Sequence, residues 1–329
     1  PAANAIRPAG QHYDYQVDSQ MIAGYARWRR LLAQRWSLEA GARIEHVRYD
    51  YDNRMIDGNT DDSGVPCPGG CLYSRPADRS DRFTNFAPRL GLVWRPAEAI
   101  AAYLSLARGF RAPETTELYR LQRQQSSAEL ESERVDAAEL GLRWRGTSAG
   151  FNLAAFTMDK RNVILRDSAG FNVSAGRTRH RGLEYDLDWT LVEGWMIAGS
   201  GTVARHEYRF TAAVEQGEQI TAGNDVDTAP RNLHALRLQH DAGPLAAELE
   251  WAYVGPYWTN AANTTRYDGH ELINLRLSWQ PSPPWALAMR VTNLLDTAYA
   301  DRADFAFGSH RYFPGRGRAI FVALGWHDD

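Results

Sequence analysis

Hydrophobic and polar residues alternate with a period of two along most of this chain, the mark of strands whose two faces meet unlike surroundings. In LINLRLSW, Ile273, Leu275, Leu277 and Trp279 fall on one face and Asn274, Arg276 and Ser278 on the other. WALAMRV repeats the pattern, with Trp285, Leu287, Met289 and Val291 opposite Ala286, Ala288 and Arg290. The last run sets Ile320, Val322, Leu324 and Trp326 against Ala319, Phe321, Ala323 and Gly325. The pattern predicts strands over 17–29, 36–51, 83–95, 99–111, 132–145, 150–165, 173–190, 194–209, 228–241, 244–259, 268–280, 284–299 and 315–327, about thirteen in all. Many are twice the length of a soluble-protein strand, which averages about five or six residues. Such length suits a tilted strand that crosses a bilayer and continues beyond it.

The predicted connections alternate in length. Short ones are RRLLAQR, PAEA, GTSA, LVEG, HDAG and PSPP; long ones cover 52–82, 112–131, 166–172, 210–227, 260–267 and 300–314. Short turns at one end and long loops at the other are the layout of an outer-membrane barrel. FRAPETTELY, Phe110 to Tyr119, is then the point where a strand leaves the membrane on the long-loop side. A polar loop of that size is uncommon in a compact soluble domain unless it carries function. Most of the Trp residues sit on predicted strands near the short turns, where an interfacial girdle belongs. A β-sandwich or propeller with a Trp core is the alternative, but inward positions such as Glu39, Arg43, Glu45, Glu139, Glu248, Glu250 and Arg276 would need pairing in a dry core. A polar lumen removes that demand. The fold class expected is therefore all-β, an antiparallel transmembrane β-barrel.

Charge and composition narrow this further. A net charge of -3 without a long Lys/Arg run gives no footprint for nucleic acid. Eleven Trp and fifteen Tyr suit a membrane-water boundary or a sugar-binding surface. No apolar run is long enough for a transmembrane helix, and a mean hydropathy of -0.49 is compatible with a barrel whose lumen and loops are polar. The chain opens PAANAIRPAG with neither an initiating Met nor a leader, so it reads as processed or as part of something longer. Strand parity points the same way. With short turns in the periplasm, an odd count starts outside the cell, whereas bacterial single-chain barrels have an even count. The two cysteines, Cys67 and Cys71, share one polar loop, VPCPGGCLY. A disulfide in an oxidising envelope compartment is expected, with two reduced thiols as the alternative.

Several stretches together resemble the TonB-dependent outer-membrane receptors, siderophore receptor type, over nearly the whole chain. They are SLARGFRAPETTELY with Phe110, Arg111, Ala112 and Pro113, then ESERVDAAELGLRW, AGRTRHRGLEYDLDW and TAPRNLHALRL. The closing stretch carries Asn293, Leu294, Asp296 and Tyr299, an intervening loop, then Pro314, Gly315 and Arg316 before the last strand. The resemblance implies a 22-stranded barrel filled by a plug. Residues 1–329 would be the C-terminal barrel portion, without the plug, its TonB box or about nine strands. It also implies import of a ferric siderophore, energised by TonB with ExbB and ExbD, in a bacterial outer membrane whose lipid and lipopolysaccharide surround the wall. Other readings are a haem, cobalamin or other nutrient receptor of the same family, a passive porin-like channel, and a soluble carbohydrate binder. Haem falls behind because no His lies between Glu114 and Glu133 and LESERV stands where a haem receptor's box would be. The chain also departs from the usual aromatic end, with His327, Asp328 and Asp329 after Trp326.

No cofactor is expected, since the metal would travel within the transported small-molecule chelate. An anionic chelate calls for Arg forks and aromatic faces at the outer mouth. The candidates are Arg108, Arg111, Tyr119, Arg120 and Arg123 around the first long loop of this kind, and Arg302, Arg311 and Tyr312 in the last. DGNTDDSG lacks the Glu that closes a calcium loop and reads as a polar turn. Asp301, Asp304 and His310 read as solvated loop residues, so no metal site is assigned. There is no GxSxG and no Ser/His/Asp grouping, so an enzyme is not expected.

Overall fold

The computed structural model describes residues 6–282, 284–306 and 308–326. The first five residues, Pro283, Phe307 and the His327–Asp329 tail lie outside the described residues. Thirteen long strands form one antiparallel sheet in which each pairs with the next along the chain. They are β1 (Tyr15–Ala33), β2 (Trp36–Asn53), β3 (Arg79–Ala97), β4 (Ile100–Arg111), β5 (Glu133–Arg145), β6 (Ala149–Arg166) and β7 (Asn172–Val192). The sheet continues through β8 (Trp195–Tyr208), β9 (Asn232–Ala242), β10 (Leu245–Val254), β11 (His270–Ser282), β12 (Trp285–Thr292) and β13 (Ala319–Trp326). Strands β1 and β13 are its two ends.

Each residue's partner across the ladder shares its face, so the register sorts the wall into two surfaces. One carries Ile44, Leu90, Leu104, Leu140, Leu153, Leu183, Leu249 and Ile320, all exposed, and is the apolar outer band. Near the short turns this face ends in a girdle: Trp36 stacks on Trp94 with ring centroids 5.7 Å apart, and Trp285 meets Trp326 edge-on at 4.7 Å. The other face is polar and internally paired. Glu39 sits between Arg27 at 2.6 Å and Arg89 at 2.9 Å, Arg276 reaches Glu248 at 2.9 Å, and Tyr103 donates to Glu139 at 2.6 Å. These are the inward charges that a dry core could not have held.

The boundaries differ from the alternation in instructive places. RRLLAQR is mostly strand: β1 runs to Ala33 and β2 resumes at Trp36, leaving two residues in the turn. The run predicted over 284–299 stops at Thr292, because Asn293 has φ 51° and Asp296 φ 57°, left-handed values that end a strand. The run over 244–259 likewise ends at Val254, and the last strand starts at Ala319 rather than 315.

A candidate ligand-binding mouth

The first long loops fold inward instead of standing free. After Pro113 the chain forms a one-turn helix, α1 (Thr115–Tyr119). A reciprocal capping box starts it, in which Glu117 accepts the Glu114 N–H at 2.7 Å. The helix buries Leu118 and Tyr119 against Tyr51 and Phe83, which lie on the inward face of β2 and β3. Tyr119 is fully buried, stacks on Tyr51 at 4.3 Å and donates its hydroxyl to Asp81 at 2.8 Å. Burial pushes that hydroxyl's pKa up, and the Asp81 carboxylate adds to the shift. It is a packing residue of the mouth, differing from the expectation that it faces a ligand.

The preceding loop is zipped to this one. Tyr73–Ser74 pairs with Leu121–Gln122, and the Arg123 N–H donates to Leu72 O at 2.8 Å. Cys67 and Cys71 are joined in a disulfide. Asn59 gathers the strands: its Oδ1 accepts the Cys71 N–H at 2.8 Å, and its amide donates to the carbonyls of Cys71, Tyr73 and Arg123. Arg75 is 2% exposed and spends its guanidinium on the carbonyls of Ile56, Thr60 and Asp61. In DGNTDDSG, Asp61 accepts the N–H groups of Ser63 and Val65 at 2.9 and 2.8 Å, the bonding of a polar turn.

Between these elements lies a cavity of about 700 Å³ lined by His12, Tyr13, Tyr73, Arg120, Arg166 and Asn172, among others. That volume is within the usual range of small-molecule sites. His12 stacks on Tyr73 at 4.0 Å, and the Arg120 guanidinium stands 5.5 Å over the Tyr13 ring. The Tyr13 hydroxyl donates to Leu121 O at 2.5 Å, and burial pushes its pKa up to about 12, so it stays a neutral donor. Arg166 donates to Asn172 Oδ1 at 3.1 Å and lies 3.7 Å from Glu215. Among the described residues, Arg120 has no carboxylate within ion-pair distance. The arrangement offers two guanidinium groups and three aromatic rings to an anionic, flat-faced ligand.

The remaining candidates have other occupations. Arg111 binds Glu117 through two nitrogens at 2.9 Å each and Glu133 at 3.0 Å. Arg108 pairs with Asp136 at 2.6 Å, and its place in the alternation with Leu104 and Leu106 puts it on the outward face, away from the lumen. Arg123 is exposed with φ 59°. Arg302 and Arg311 both grip Asp304, each at 2.6 Å, in a hairpin of Ala300–Ala306 with Ser309–Pro314, while Tyr312 is exposed. This hairpin packs around Tyr257 and Tyr267, a cluster separate from the one around Tyr119. The closing motif shapes its exit. Asn293, 2% exposed, exchanges bonds with Thr297 at 2.8 and 2.9 Å, Asp296 accepts the Arg318 N–H at 2.8 Å, and Gly315 lies under the Tyr299 ring. His12, Tyr13, Tyr73 and Arg166 carried no local signal beyond being aromatic or cationic in polar loops.

Comparison with known proteins places this architecture. Residues 1–294 match the family described as TonB dependent receptor-like, beta-barrel. The catecholate siderophore receptor Fiu of Escherichia coli (strain K12) is 19% identical over 310 residues, covering 89% of this chain and 40% of that protein. The metal-pseudopaline receptor CntO of Pseudomonas aeruginosa is 22% identical over 88% of this chain and 38% of its own length. Among solved structures, the ferric yersiniabactin uptake receptor FyuA from Yersinia pestis superposes with a TM-score of 0.73 at 18% identity, over 94% of this chain and 45% of that one. The siderophore receptor PiuA from Acinetobacter baumannii gives 0.76 at 15% identity, over 95% and 44%. This chain thus spans less than half the length of these relatives. With the family matched over most of its residues and the two-faced sheet described above, the chain belongs to the TonB-dependent receptor β-barrel family of the bacterial outer membrane.

Proposed function

We propose that this chain is the wall and outer mouth of a receptor that imports a ferric siderophore, of the catecholate type, across the outer membrane. The observation that carries the reading is the mouth cavity, where Arg120 and Arg166 stand among His12, Tyr13 and Tyr73. A ferric tris-catecholate is anionic and presents flat aromatic rings with paired oxygens, which guanidinium forks and aromatic faces match. Kinship with receptors named for catecholate and yersiniabactin ligands supports the class. Import would draw on the TonB, ExbB and ExbD machinery through a plug domain, and iron would be cargo within the chelate rather than a cofactor.

The test is uptake of radioactive iron by a strain that lacks its own catecholate receptors and expresses the complete coding region. TonB-dependent uptake with a ferric catecholate, and not with a hydroxamate of similar size, is expected. Uptake that continues without TonB would instead assign a passive, porin-like channel.

A further inference from the structure

Arg134, Arg161 and Arg177 stand directly opposite one another on β5, β6 and β7. Arg209, one residue beyond β8, donates its N–H to the Arg177 carbonyl at 2.8 Å and brings the row to a fourth strand. Neighbouring strands lie about 4.8 Å apart, so four like charges line up over about 14 Å. Like charges opposite each other cost stability unless something negative covers them. The alternation puts Arg134, Arg161 and Arg177 on the face that carries Leu140, Leu153 and Leu183, which is the outer face and not the lumen.

Nearby carboxylates do not neutralise the row. Asp136 is shared by Arg108 at 2.6 Å and Arg134 at 3.0 Å, and Asp159 is held by Arg179 at 2.7 Å. Arg161 and Arg177 are exposed, and among the described residues neither has a carboxylate within ion-pair distance. The Nε of Arg134 is buried with no acceptor. The chain as a whole carries a net charge of -3, so this cationic excess is local.

We propose that this row is a docking surface for phosphate-bearing headgroups of the lipid that surrounds the barrel. Position selects the occupant, because the row continues upward from the apolar band and whatever covers it must stand beside lipid. Chemistry agrees, since a guanidinium fork bonds two phosphate oxygens at once. The outer-membrane setting is the only prior conclusion this needs; the transported ligand does not enter.

Receptor extracted from outer membranes in mild detergent and washed free of lipid is titrated with three probes: a phosphorylated glycolipid, the same lipid dephosphorylated, and inorganic phosphate. Bound phosphorus and the thermal midpoint are read. The phosphorylated lipid is expected to bind and raise the midpoint, and the double variant Arg161→Ala/Arg177→Ala to bind it about thirtyfold more weakly. The other two probes should do little. Equal binding by parent and variant overturns the proposal, as does a match by inorganic phosphate alone, which would make the row a free-anion site. Removing two exposed like charges should leave the lipid-free midpoint at or above the parent's. A clear fall there would assign the arginines to holding the fold and reject the lipid role.

Discussion

Arg111 Nε lies 3.0 Å from Glu133 Oε2, joining the upper ends of β4 and β5 above the apolar band. The same guanidinium grips Glu117 of α1, so one side chain ties the inward-folded loop to the wall. The Glu133 side chain is 6% exposed and also receives Lys160 at 2.9 Å. Arg111→Ala would leave that carboxylate with Lys160 and the Ile164 N–H alone. Breaking a fully buried pair costs about 3–5 kcal/mol. Because Arg111 is partly exposed and Lys160 remains, about 1–2 kcal/mol is expected, read as a lower thermal midpoint and earlier proteolysis within residues 112–132.

Acid should open the same junction. Burial alone would raise the Glu133 carboxyl, but hydrogen bonds from Arg111, the Ile164 N–H and Lys160 outweigh it and hold the pKa at about 2. A carboxylate whose folded pKa lies below its ordinary 4.5 stabilises the fold fully above that pH. The contribution fades as pH falls from there through about 2. Protease resistance of the loop should be flat from neutral pH down to about 5 and decline below it, with Glu133→Gln flattening the profile. An unchanged loop at pH 3 would contradict the assignment.

Arg120 gives the sharpest test of the mouth. Among the described residues it has no carboxylate within ion-pair distance, since Glu117 on the same wall is held by Arg111, and it stands over Tyr13. Hydrogen bonds to a charged group contribute about 1.5–3 kcal/mol, so Arg120→Ala should weaken ferric-catecholate binding at least about tenfold. Tyr119→Phe, which removes a buried hydroxyl bonded to Asp81, should cost about 1 kcal/mol of stability and leave affinity nearly intact. Tryptophan-fluorescence titration and thermal unfolding of the two variants separate these effects.

How far the sequence could be read follows from which forces are local. Alternation is a local record of a wall with lipid on one side and water on the other, and it located the thirteen strands and the Trp girdle near Trp36 and Trp94. It overran at Asn293, where a single left-handed residue ends β12 although apolar residues continue to Leu295. Loop paths leave no such record. Tyr119 looks like a ligand-facing aromatic in a polar loop, and only its stacking on Tyr51, far away along the chain, shows it to be core. Arg120, its neighbour, does reach the cavity, whose other walls come from residues near 12, 73 and 166.

Gly315 and Tyr299 make the close of the last loop sensitive to a single methyl group. A Cβ at position 315 would overlap the Tyr299 ring, and the Gly315 N–H donates to Tyr299 O at 3.0 Å, so the two backbones cannot simply part. Overpacking of this kind costs about 1–3 kcal/mol. Gly315→Ala is therefore expected to lower the thermal midpoint, and Tyr299→Leu in the same chain to restore part of the loss. Full stability of the single variant would show that the ring swings aside freely.

Strands β1 and β13 set a final expectation for this chain expressed alone. Each is an end of the sheet, and their outward residues are among the barest in the molecule: Ile22 is 77% exposed, Ile320 64% and Leu324 67%. An unpaired ladder edge in lipid leaves N–H and C=O groups with no water to satisfy them, at several kcal/mol each, and in water it recruits other edges. Aggregates or inclusion bodies are thus expected from residues 1–329 alone. A coding region that supplies further strands should instead yield a heat-modifiable species in detergent, visible as a mobility shift between heated and unheated samples. A monodisperse, heat-modifiable monomer from residues 1–329 alone would mean that β1 and β13 find each other and close the wall unaided.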